Sequence, residues 1–187
     1  MKQLYSILFV VMLMLPTHGL TMEIEGVTIP ESVQLENRNL NLNGAGIRTK
    51  LFFDIYIGAL YLEQKSSDAK EIINSNGTKR IVMHFLYDEV SREKLINGWN
   101  EGFEKNQSKE QMGLLRERLD QFNALFATAY KDNRIIFDLL SDGLSKVQIN
   151  GTDTGQIAGA DFQQALLAVW LGKKPADKGL KQSLLGH

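Results

Sequence analysis

The sequence predicts an α+β domain built on a large, mainly antiparallel β-sheet covered on one face by helices. Three observations carry this. Stretches with the twofold alternation of strands and stretches with helical spacing are segregated along the chain: strands, helices, strands, helices. Two strand stretches, 51–62 (LFFDIYIGALYL) and 79–87 (KRIVMHFLY), are apolar on both faces, as in a sheet backed by other layers. Asn150-Gly151 joins two further strands with the strongest short hairpin signal.

Taken in order, 22–29 (MEIEGVTI) reads as one alternating strand ended by Pro30. Residues 40–47 (LNLNGAGI) alternate and then relax into Gly44-Ala45-Gly46. In 51–62 the odd positions share one face and the even positions, with Asp54 and Tyr56, the other. Residues 66–74 open with capping side chains and predict a short helix stopped near Gly77. Residues 91–106 carry a cap and place Leu95, Trp99 and Phe103 four apart on one helical face. In 110–129, Met112, Leu115, Leu119, Phe122 and Phe126 recur every three or four residues as a core-facing stripe. Strands follow at 134–140, 145–150 and 152–158, then a capped helix at 161–171 ended by Gly172, and a last short helix at 177–185.

The N-terminus reads as a leader for export. Lys2 supplies the positive end, and 4–15 (LYSILFVVMLML) is apolar but shorter than the ~20 residues that span a bilayer as a helix. Pro16 breaks the run, and small side chains place cleavage after Gly19, with Thr21 the alternative. A buried N-terminal helix or an uncleaved anchor is the competing reading. Residues 1–19 are thus expected to be a signal peptide, and 20–187 one domain in the periplasm or secreted, with no membrane anchor in the mature chain. The chain has no cysteine, which removes lipid attachment through that residue and any disulfide. Its formal net charge of −1 lacks the basic excess of a nucleic-acid partner.

Catalytic chemistry is sparse. Of three histidines only His84 sits inside the domain, in an apolar strand, so a structural role is expected and neither a nucleophile pair nor a metal site. Gly44-Ala45-Gly46 lacks the third glycine and following helix of a dinucleotide loop. Asp153 and Asp161 suit turn or cap roles. No cofactor is expected.

Arg48 stands out, set between the glycine-rich strand end and the most apolar strand. A guanidinium beside an apolar core needs an anionic partner, and a ligand carboxylate is one that Arg grips in two places. Tyr56 would add a hydrogen bond. The competing reading pairs Arg48 with Asp54 or turns it to solvent. In one straight strand Arg48 and Tyr56 would lie about 26 Å apart, at ~3.3 Å per residue, so a turn around 49–51 is required. With three turn residues Arg48 lies opposite Phe52 and Tyr56 shares its face. With two, Arg48 lies opposite Leu51 and Tyr56 faces away.

These residues also carry a resemblance. The stretch 43–63 (NGAGIRTKLFFDIYIGALYLE) resembles the signature of chalcone isomerase-fold proteins: a Gly-rich segment, an Arg, then an aromatic strand ending in Ala-Leu-Tyr-Leu. The stretch 165–185 (ALLAVWLGKKPADKGLKQSLL) is similar to the same family's closing helices, and the likeness is greatest to its bacterial exported branch. The resemblance implies an open-faced sandwich with a ligand cleft between sheet and helices. It implies one of two functions: closure of a chalcone to a flavanone, or non-catalytic binding of fatty acids with an Arg and a Tyr on the carboxylate. By motif Arg48 matches the family arginine, and Tyr56 sits where fatty-acid binders have Tyr and the enzymes Thr. The enzymes also use a Tyr and an Asn near the helix after the central strand. Ser91 and Gly98 fall there in this sequence, with Tyr87 and Asn97 close by. The expectation is therefore an exported, non-catalytic protein holding a fatty acid or other small apolar carboxylate through Arg48 and Tyr56. An isomerase, or a ligand-free interaction protein, is the alternative.

Overall fold

A computed structural model describes residues 21–187. The expected leader at 1–19 lies outside the described residues. The elements are β1 (Thr21–Ile24), β2 (Val27–Pro30), β3 (Ser32–Leu35), β4 (Arg38–Lys50), β5 (Phe53–Leu62), α1 (Ala69–Asn74), β6 (Lys79–Phe85), β7 (Glu89–Val90), α2 (Arg92–Asn106), α3 (Lys109–Ala124), β8 (Ala129–Tyr130), β9 (Arg134–Leu139), β10 (Leu144–Ile149), β11 (Thr152–Ala158), α4 (Ala160–Leu171) and α5 (Lys178–Leu184). Seven strands form one antiparallel sheet in the order β11-β10-β9-β6-β5-β4-β3. The fold is α+β, as the segregation of strand and helix stretches predicts.

The two apolar faces of β5 and β6 serve two cores. Tyr56, Leu60, Leu62, Ile81, Met83 and Phe85 pack beneath the helices, joined there by Leu95, Trp99 and Phe103 of α2 and the α3 stripe. Ile57, Ala59, Tyr61 and Val82 face the other way, into a smaller core with Ile29, Leu35, Leu40 and Leu42. Helices cover only the first face. The second is closed by the β1–β2 hairpin, which Tyr61 ties down by donating its hydroxyl to the Pro30 carbonyl at 3.1 Å. The single strand expected at 22–29 is in fact this hairpin. Glu25 and Gly26, both at positive φ (48° and 74°), make its turn, and Glu gives no turn signal.

Other departures are local. The helix expected to reach 129 ends at Ala124, after which Ala129–Tyr130 pairs with Glu89–Val90. Helix α4 is capped by Gly159 without a side-chain bond. Asp161 instead forms a two-point ion pair with Arg118 (2.6 and 2.7 Å), which holds its carboxyl below the usual range. The Asn150-Gly151 turn is present, with φ of 52° and 81°.

The glycine-rich part of β4 receives α5. A Cβ on Gly44 would meet the Ser183 carbonyl oxygen at 2.0 Å, and one on Gly46 would meet the Ser183 Cβ at 2.5 Å. Beside them Asn43 donates to the Ser66 and Leu184 carbonyls (2.9 and 2.7 Å) and accepts from the Ser66 N–H (2.8 Å). That segment is a seat for a helix.

Candidate functional site

The β4–β5 hairpin builds the site. Its turn is Leu51-Phe52, so Lys50 lies opposite Phe53 and Thr49 opposite Asp54. A bulge then adds one residue to β5 and sets Arg48 directly opposite Tyr56. Both registers expected from the sequence are therefore incorrect, since each assumed an unbroken ladder and a turn at 49–51. The bulge also breaks the alternation of 51–62, because Ile55 and Tyr56 both pack toward the helix side.

The register brings Arg48 and Tyr56 together. The Arg48 Cζ lies 5.6 Å from the Tyr56 ring centroid, within cation–π range. Arg48 does not pair with Asp54, which accepts from the Thr49 hydroxyl at 2.8 Å. The Asp177 carboxylate nearby accepts from the Leu180 N–H (2.8 Å) and the Thr49 N–H (3.3 Å). Among the described residues the Arg48 Nε is buried with no hydrogen-bond partner.

Tyr56 is 2% exposed, and burial, partly offset by the Arg48 charge, raises its pKa. Its oxygen accepts from the Trp170 Nε1 at 2.9 Å. The hydroxyl proton is thus left to donate. The Trp99 Nε1 is a second buried donor without a partner among the described residues.

Cavities open around these groups. A recess of about 40 Å³ is lined by Arg48, Tyr56, Trp99, Ile55, Phe85 and Val169, among others. A larger cavity of about 320 Å³ adjoins Arg48, between the hairpin and α2, with walls from Leu51, Phe53, Ile55, Tyr87, Val90, Asn97 and Gly98. It lies within the ~300–1,000 Å³ range of small-molecule pockets. Tyr56 lines the recess and not the larger space. A more open groove of about 580 Å³ lies among the helix ends, lined by neither Arg48 nor Tyr56. Chemically, the recess gathers a fixed cation and neutral donors beside an apolar space, a combination that suits an anionic oxygen carried on an apolar body.

The remaining candidates fall as follows. Ser91 caps α2 by accepting from the Lys94 N–H (3.3 Å), while Gly98, Tyr87 and Asn97 line the larger cavity. His84 sits on β6 with its Nε2 3.4 Å from Asp132 and lines none of the cavities around Arg48. Sequence reasoning missed Trp99 and Trp170 as polar members of the site. Trp99 reads as a core residue on the stripe of α2 and Trp170 only as part of the apolar helix at 161–171, and nothing local marks either as a hydrogen-bonding member of the site.

The model of the chalcone isomerase-like family matches residues 21–186, and the chain belongs to that family. Its fold is shared with the crystal structure of a fatty-acid binding protein from Arabidopsis thaliana. The TM-score is 0.71 at 14% identity, covering 88% of this chain and 95% of that one. No curated protein matches the sequence.

Proposed function

We propose that this chain is an exported, non-catalytic member of the family that holds a fatty acid or similar apolar carboxylate between sheet and helices. The Arg48 guanidinium takes the headgroup, helped by the Tyr56 hydroxyl, and the apolar walls of the larger cavity take the tail. The observation that carries this reading is the buried Arg48 Nε, without a partner among the described residues, at the edge of an apolar-walled cavity. The fold shared with a fatty-acid binding protein supports it. The leader at 1–19, cleaved after Gly19, would deliver the domain to the periplasm or outside the cell.

Native mass spectrometry of the protein purified from exporting cells tests both parts. The expected species lacks residues 1–19 and carries a fatty acid. Arg48→Ala is expected to bind fatty acid at least about tenfold more weakly, for a charge-assisted contact of ~1.5–3 kcal/mol. Wild-type protein that neither co-purifies with nor binds fatty acid sinks the proposal.

One observation favours a second reading, an intramolecular lyase of chalcone isomerase type. Tyr87 and Asn97 line the same cavity as Arg48, which supplies the polar residue types that the enzymes use. Turnover of a chalcone by the purified protein, lost in Arg48→Ala, decides for it.

A further inference from the structure

We propose that the tip of the β4–β5 hairpin is a docking surface for an anionic lipid bilayer. Leu51, Phe52 and Phe53 are 82%, 95% and 52% exposed. They are consecutive, and they make up half of the six large apolar side chains left exposed among the described residues. Scattered exposed apolar residues need no explanation, but a cluster at a protruding turn does.

The turn itself points the same way. Leu51 has φ 59°, in the left-handed region that a bulky side chain rarely enters. A two-residue hairpin turn is ordinarily relieved of this strain by Gly, Asn or Asp. Here a leucine occupies the strained position, followed by a phenylalanine that touches almost nothing. Neither choice serves folding, so both are explained by what the tip meets outside the molecule.

Charge selects the occupant. The two cavities flanking the tip are lined by five cations, Arg48, Lys50, Lys94, Lys105 and Lys174, against two carboxylates, Glu89 and Glu101. Glu101 is paired with Lys105, and the two further carboxylates close to the turn are engaged, Asp54 by the Thr49 hydroxyl and Asp177 by the Thr49 and Leu180 N–H groups. An apolar tip rimmed by amines matches a bilayer interface: rings enter the headgroup–acyl boundary while lysines meet lipid phosphates. No helix among the described residues is long and apolar enough to cross a membrane, and the contact proposed is made by the hairpin tip alone. Leu51 and Phe53 also wall the larger cavity, so docking brings its mouth to the lipid.

The test uses protein purified from the cells that make it, with phosphatidylcholine vesicles with and without phosphatidylglycerol. Wild type is expected to sediment with the phosphatidylglycerol vesicles, and less so as salt rises. Phe52→Ser, at a side chain outside every cavity wall around Arg48, is expected to bind about tenfold more weakly or worse, the loss of one buried aromatic ring. Phe52→Trp is expected to shift its emission to the blue and to be quenched by brominated acyl chains. Wild-type indifference to both vesicles, Phe52→Ser binding like wild type, or unchanged Phe52→Trp emission overturns the proposal. So does a wild-type dimer that Phe52→Ser converts to a monomer with no vesicle binding, which would make the tip a self-interface. Fatty-acid binding in vesicle-free solution reports on the Arg48 cavity alone and separates the two proposals.

Discussion

The Tyr56 oxygen serves the fold before it serves any ligand. Trp170 is 1% exposed and its Nε1 has the Tyr56 oxygen as acceptor. Tyr56→Phe therefore leaves a buried donor unpaired, at about 1–3 kcal/mol. Chemical denaturation is expected to show that loss without any ligand present, and an unchanged midpoint would mean that the bond contributes nothing. Arg48 differs. It has a cation–π contact with Tyr56 and, among the described residues, no ion pair and no hydrogen-bond partner for its buried Nε, so the fold gives its charge no carboxylate counterpart. Arg48 was legible from residue type alone, as a cation in apolar company. The Tyr56–Trp170 bond was not, because its partners are 114 residues apart and nothing local selects them.

At the scale of elements, close approach of α5 to β4 depends on side chains that are missing. Gly44→Ala places a methyl group 2.0 Å from a backbone oxygen of α5, and backbone cannot rotate away. It is expected to destabilise by about 1–3 kcal/mol. Gly113→Ala in α3, with nothing within 4 Å, is expected to stabilise by about 0.5–1 kcal/mol. Thermal melts of the two variants should move in opposite directions, and shifts of the same sign count against the seat. Elements whose ends have local chemistry were legible: α2 from Ser91 and its four-residue spacing, β10–β11 from Asn150-Gly151. The turns at Glu25-Gly26 and Leu51-Phe52 were not, because Glu and Leu occupy positions normally left to Gly, Asn or Asp. The bulge beside Ile55 has no sequence signal, yet it sets the register of the whole site.

For the molecule as a whole, pH reaches stability through Lys79. Its side chain lies at the start of β6, 3% exposed, and its Nζ donates to the Ser75 and Gly77 carbonyls at 2.6 and 2.8 Å. Burial lowers its pKa to about 8, against the opposing pull of Glu63. Between pH 8 and ~10.4, the unfolded-chain value, the unfolded state binds more protons, so this group makes stability rise with pH. Below pH 8 both states are protonated and the cost of burying the ammonium is carried in full. Tyr61, pushed up to about 12, acts oppositely above pH ~10. Wild type is thus expected to gain stability relative to Lys79→Met between pH 8 and 10, read from denaturant midpoints. A constant difference refutes the shift. The seat of α5 also has a consequence for the order of assembly. The Asn43–Leu184 contact closes a separation of 141 residues, and Asp177 reaches back 128 residues to Thr49, next to Arg48. Such distant partners pay the loop-closure entropy of nearly the entire domain before they gain anything. During synthesis on the ribosome, the hairpin bearing Arg48 emerges early, and its final shape waits for the last helix to arrive.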